Sequence, residues 1–190
     1  MFRNVLVAID GSAASTRALE VAVELAADQK AALSIVHVID DFAAMPMYDG
    51  SFVPANYMES MVEGLKESGA RILDKAGKVA SRRDVAPRSV MVETGGQSVA
   101  QAILAQARKL RADVIVLGTH GRRGLSRLLL GSDAEMVLRE APCPVLLVRA
   151  PDTQPQASKA AAKAPARAAS GRKSAAKAPP ASKGRTTRGG

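Results

Sequence analysis

Residues 113–149 read DVIVLGTHGRRGLSRLLLGSDAEMVLREAPCPVLLVR, and the succession of patterns inside them decides the fold. The run Val114–Leu117 is short, apolar and β-branched, as a buried strand is. A segment rich in glycine and arginine, Gly118 to Ser132, comes next. DAEMVLRE then resumes with helical character, and Ser132 with Glu135 has the spacing of a capping box, in which each side chain satisfies an amide near the other. CPVLLVR returns to strand. Strand, loop, helix and strand in that order make a parallel crossover unit, which is right-handed in nearly all folds.

The same unit repeats toward the N-terminus. NVLVAID is a strand that ends in Asp10-Gly11-Ser12, followed by Ala18, Leu19, Ala22, Val23, Leu25 and Ala26 at helical spacing. ALSIVHVID is a second strand ending near Asp40, followed by a loop over residues 41–56 and a long helical pattern from Tyr57 to Ala80. RSVMVET is a third strand, and Gly95-Gly96-Gln97 turns it into a helix opened by a second capping-box pair, Ser98 and Gln101. Five strands alternating with four helices predict a Rossmann-like, doubly wound α/β fold. Its common form is a five-stranded parallel sheet in the order 3-2-1-4-5 with helices on both faces. In that order the winding reverses between strands 1 and 4, and ligands bind beyond their carboxyl ends. Here those ends are Asp10-Gly11-Ser12 and Gly118.

Composition divides the 190 residues near Pro151. Residues 1–150 are rich in Val, Ile, Leu and Ala, enough for one core. Residues 151–190 hold no Val, Ile, Leu, Met, Phe, Tyr, Trp or Cys, so no apolar burial offsets their chain entropy and a disordered tail is expected. That tail carries nine Lys/Arg and one Asp, a net +8 of the chain's +9, and leaves 18 basic and 17 acidic residues before it. AAKAP occurs in it twice, at 161–165 and 175–179, and its composition resembles the tails of linker histones and histone-like bacterial proteins. Eight charges on duplex phosphates would give a salt slope of about −7 in log K, and with no aromatic residue to stack on bases the binding would be non-specific. The single cysteine, Cys143, excludes an internal disulfide. The N-terminus lacks the pattern of a signal peptide, and no apolar run approaches the roughly 20 residues of a membrane helix, so a cytoplasmic protein is expected.

The glycine segment suits phosphate. Gly118 allows a sharp turn at the strand end, and Gly121 and Gly124 let the backbone approach a ligand. Gly131 and Ser132 stand at a helix N-terminus, where unpaired amides and the helix dipole attract anions, with Arg122, Arg123 and Arg127 available as added charge. Ser132 serving only as a cap is the plainer reading of the same residues. Neither a Walker motif nor G-x-G-x-x-G after the first strand is present, which argues against a Walker-type NTPase and an ordinary dinucleotide enzyme. His120 lies inside the loop, as a phosphate contact or a loop-shaping group. His37, in mid-strand, reads as a packed residue, and Cys143, between two prolines, as a small buried one. Met45, Met47, Met58 and Met61 with Phe42, Tyr48 and Phe52 read as core, with a lid or partner surface as the alternative. No general base or paired carboxylates assemble, so binding is better supported than turnover.

Gly118-x2-Gly121-x9-Gly131-Ser132, NVLVAIDGS at the start and APCPVLLVR at the end together resemble the universal stress protein family over residues 1–149. The resemblance implies its ATP-binding branch. In that reading Asp10 lies near the ribose and phosphates and takes a divalent cation such as Mg2+, while Ala8 and Ile9 flank the nucleoside. Val38 offers its backbone to adenine, Leu117 and Gly118 border base and sugar, and Gly121, Gly131, Ser132 and the Asp133 amide hold phosphates. It further implies a homodimer joined through the last strand, acting as a stress-response regulator. Slow ATP hydrolysis and a nucleic-acid-associated role for the tail are the alternatives.

Overall fold

The computed structural model describes residues 1–41, 55–119, 121 and 130–150. The expectations placed on His120, Arg122, Arg123, Gly124 and Arg127, on Phe42, Met45, Met47, Tyr48 and Phe52, on the side chain of Met58, and on the tail 151–190 lie outside the described residues.

Nine elements alternate: β1 (Asn4–Ala8), α1 (Ala13–Gln29), β2 (Ala32–Ile39), α2 (Ala55–Ser81), β3 (Arg88–Glu93), α3 (Val99–Lys109), β4 (Val114–Gly118), α4 (Ser132–Glu140) and β5 (Val145–Val148). All pairings are parallel and the sheet runs β3-β2-β1-β4-β5, the doubly wound order expected. Asn4 opposes Ala32 on one side of β1 and Val5 opposes Val114 on the other, which brings the carboxyl ends of β1, β2 and β4 to one edge.

Strand parity sorts the core into two layers. Val5, Val7, Leu33, Ile35, Val114 and Val116 face α1 and α2, meeting Ala18, Ala22, Val23 and Leu73 among others. Leu6, Val36, Val38, Ile115 and Leu117 face α3 and α4, meeting Ala100, Ile103, Leu104 and Val137. Covering both faces is why these strands read as continuous apolar runs. Leu6, Ile35, Val36, Ile115 and Val116 are fully buried, each side chain contributing about 1.5–3 kcal/mol relative to exposure.

Local bonds fix the element ends. Ser98 Oγ accepts from Gln101 N (3.2 Å) and Gln101 Oε1 accepts from Ser98 N (3.1 Å), so the capping box at α3 forms. The one expected at α4 does not. Gly131 occupies the N-cap with extended backbone (φ −63, ψ 144), no side chain caps the helix, and Ser132 is already its first residue. Gly131 N donates to Thr119 O at 2.9 Å, which holds Gly131 outside the helix and admits Ser132 one position further in. Glu135 instead meets Arg139 at 2.9 Å. At the start of the sheet the Asp113 carboxylate accepts from Arg3 N (2.8 Å) and Asn4 N (3.1 Å), tying β1 to the residue before β4.

Candidate functional site

Beyond β1 the chain turns at Asp10. Ser12 N donates to Asp10 Oδ1 at 2.9 Å, an Asx turn, and Gly11 takes φ +83, a conformation that glycine alone adopts without strain. Ser12 caps α1 by accepting from Ser15 N at 3.1 Å. Ser15 Oγ, buried, donates to Ser12 O (3.1 Å) and accepts from Asp10 N (3.3 Å). Asp10 is therefore built into the entry of the helix.

Across the sheet, β4 ends at Gly118. A Cβ there would lie 2.8 Å from the Ala14 carbonyl carbon and 2.9 Å from Ser15 N, so this glycine is required by the close approach of β4 to the first turn of α1. Thr119 N donates to Val148 O, and Gly131 N returns to Thr119 O, both at 2.9 Å, so the base of the glycine segment is pinned between β4, β5 and α4. A Cβ on Gly121 would stand 3.0 Å from Asp10 Oδ2. The carboxylate at the end of β1 and the loop after β4 thus face one another.

A pocket of about 320 Å³ opens there, within the usual range for small-ligand sites. All ten site residues that the family resemblance implies line it. Ala8, Ile9 and Asp10 come from the end of β1, Val38 from β2, Leu117 and Gly118 from β4, Gly121 from the loop, and Gly131, Ser132 and Asp133 from the start of α4. Five further lining residues were not expected: Ser15, Asp40, Val99, Ile103 and Ala134. Asp40 carried a signal, because it stands two residues after Val38 at the end of the same strand. Val99 and Ile103 enter only because α3 packs over β1 and β2 on this side of the sheet.

The pocket has two characters. Its walls from Val38, Val99, Ile103 and Leu117 are apolar, suited to a flat ring. The rest of its lining is polar or small: Asp10, Ser15 and Asp40, the glycines Gly118, Gly121 and Gly131, and the first turn of α4, whose opening amides have no carbonyl within the helix. Asp133 there sits well with the helix dipole. Among the described residues no group of three or more His, Cys, Asp or Glu is placed to hold a metal ion.

His37 is buried with Nδ1 2.7 Å from Ile9 O and does not line the pocket. Cys143 is half-buried against the α3/α4 layer. Burial first, and the Asp113 charge second, push its thiol up, opposite to what a nucleophile needs.

The Universal stress protein family profile matches residues 1–149. Universal stress protein YxiE of Bacillus subtilis is 35% identical over 151 residues, spanning 78% of this chain and all of its own. A solved structure of a universal stress protein family member from Burkholderia pseudomallei is 39% identical with a TM-score of 0.60, covering 76% of this chain and 94% of its own. A universal stress protein solved in complex with cAMP shares the fold at 24% identity and TM-score 0.56, over 78% of this chain and 98% of its own. With the profile spanning every element from β1 to β5, the chain belongs to the universal stress protein family.

Proposed function

We propose that residues 1–150 bind an adenine nucleotide, ATP first among them, and that the occupied and empty states are what a stress response reads. The observation that carries this is the pocket itself: ten residues chosen for a nucleotide line one cavity, apolar toward β2 and α3 and glycine-walled toward α4. Adenine fits the first end and phosphate the second. The cAMP complex of a family neighbour supports the class of ligand.

In this reading the backbone at Val38 and the side chain of Leu117 bracket the base. Gly121, Gly131, Ser132 and the Asp133 amide hold phosphate. A helix dipole contributes only about 0.3–1 kcal/mol at an exposed end, so several amides must act together. Asp10 would hold a divalent cation through its carboxylate, and such a cation would supply positive charge against the phosphates.

Titration calorimetry of the full chain with ATP, with and without Mg2+, tests the proposal. Saturable heat that Gly131→Val abolishes supports it, and no heat at millimolar ATP on folded protein ends it. Two further parts of the proposal have their own support. The short edge strand β5, with Leu146 and Leu138 the exposed large apolar residues beside it (40% and 49%), suits a homodimer paired through that edge, read by light scattering. The tail's net +8 suits non-specific nucleic acid. Its retention should fall by about four decades between 50 and 200 mM salt, whereas ATP affinity should change far less.

A further inference from the structure

Among the described residues the buried polar side chains are Ser15, His37 and Thr94, and His37 alone of them is ionisable. It stands on β2 on the side that faces α1 and α2, the parity of Leu33 and Ile35. Its Nδ1 is 2.7 Å from the Ile9 carbonyl oxygen. A carbonyl only accepts, so Nδ1 carries the proton, and a neutral ring leaves Nε2 bare of hydrogen.

The bonded carbonyl has a special place. Ile9 is the residue after β1, and its N–H still reaches Val36 O at 2.9 Å, the last rung to β2. Its carbonyl then goes to a side chain of the neighbouring strand. The next atom along is Asp10 N, which donates to Ser15 Oγ. Both polar ends of the Ile9–Asp10 peptide are therefore held, the oxygen by His37 and the hydrogen by Ser15. The orientation of that peptide plane sets where the Asp10 side chain leaves the backbone, and Asp10 Oδ2 is the atom that faces Gly121.

The ring has room because α2 carries glycine opposite it. A Cβ at Gly69 would be 2.7 Å from His37 Cδ2 and 3.2 Å from Nε2. Glycine inside a helix is intrinsically worse than alanine, so its presence there accords with a requirement for the imidazole. An aliphatic residue in place of His37 would fill the layer equally well and leave the Ile9 carbonyl buried without this partner.

We propose that His37 is a positioning residue for the nucleotide site: the Nδ1–H bond to the Ile9 carbonyl holds the Ile9–Asp10 peptide so that the Asp10 carboxylate faces the glycine segment. The proposal rests on the nucleotide-binding reading of the pocket, and its test has an arm that does not.

Four full-length variants decide it: His37→Asn, His37→Gln, His37→Leu and Gly69→Ala. An asparagine amide nitrogen falls where Nδ1 is, a glutamine one where Nε2 is. His37→Leu and His37→Gln should bind ATP roughly tenfold more weakly, as expected for a lost bond to a buried carbonyl. His37→Asn should stay within about threefold of wild type, the range of a retained but less ideal bond. Gly69→Ala, which displaces the ring, should resemble His37→Gln. In the nucleotide-free protein the Asp10 and Ser12 amides should exchange faster in His37→Gln and His37→Leu, and at the wild-type rate in His37→Asn. Nitrogen-15 spectra of wild type should show the neutral ring protonated at Nδ1. A ring protonated at Nε2 overturns the proposal, as does equal ATP affinity in the asparagine and glutamine variants. If wild type takes up no ATP the pocket reading fails, while the exchange rates and the ring spectrum still decide the role of His37. Should His37→Leu not fold, the Asn/Gln contrast and the wild-type spectrum give the answer.

Discussion

Replacing Gly118 by alanine tests whether the end of β4 truly rests on α1. The added Cβ would stand 2.8 Å from Ala14 C, 2.9 Å from Ala14 Cβ and 2.9 Å from Ser15 N, where carbon–carbon contact is comfortable only at about 3.5–4.0 Å. Two of these atoms are backbone, inside a turn fixed by the Ser12 cap and by the Asp10–Ser15 bond, so no rotamer change relieves them. Overpacking of this kind costs about 1–3 kcal/mol. Alanine also restricts the unfolded chain, which contributes about 0.4–1 kcal/mol in the other direction. The contact wins, leaving a net loss of roughly 1–2 kcal/mol and a fall in Tm of about 2–8 °C for a domain of this size. Gly121→Ala is the control. Among the described residues its Cβ would meet Asp10 Oδ2, at 3.0 Å, one side-chain oxygen rather than packed backbone, so the loss of stability should be smaller than for Gly118→Ala, about 1 kcal/mol or less, while ATP affinity falls. Urea unfolding followed by circular dichroism reads both. A Gly118→Ala midpoint equal to wild type, at unchanged m, would refute the packing argument.

Three other outcomes follow from particular contacts. In α2, Cβ atoms at Gly64 and Gly77 meet nothing within 4 Å among the described residues, so each Gly→Ala change should stabilise by about 0.5–1 kcal/mol, whereas Gly69→Ala should destabilise against His37; thermal unfolding of the three variants side by side checks the order. Ser98→Ala breaks a formed capping box and should cost about 1 kcal/mol, while Ser132→Ala removes no cap bond and should be nearly neutral for stability yet weaken ATP binding. For Cys143, burial and then Asp113 raise the thiol in the folded state, so the folded protein holds that proton more tightly than the unfolded chain. The resulting stability is present below the ordinary thiol range and is lost as pH rises through it. In the same window a disulfide reagent should react with native protein more slowly than with urea-unfolded protein, and equal rates would contradict the assignment.

What the sequence makes legible depends on how local the deciding interaction is. The parallel sheet is written in the strands themselves, because burial on both faces leaves runs such as VLVAI and VIVL without polar alternation. The ends of β1 and β4 are equally plain, since Asp10-Gly11-Ser12 and the glycines after Leu117 are residue types that a turn or a tight approach demands. Val99 and Ile103 are not legible in this way: their place in the pocket comes from α3 crossing above the sheet, and that neighbour is not encoded near them in the chain. Ser132 shows the limit most sharply. The spacing Ser-x-x-Glu is the same at 132–135 as the Ser-x-x-Gln at 98–101, yet one forms a box and the other does not. The difference is a single long-range bond, Gly131 N to Thr119 O, which starts α4 one residue sooner and leaves the Ser132 hydroxyl out of the cap. A residue that local rules assign to capping the start of a helix is thereby placed in the pocket wall, where a ligand that accepts hydrogen bonds can use it.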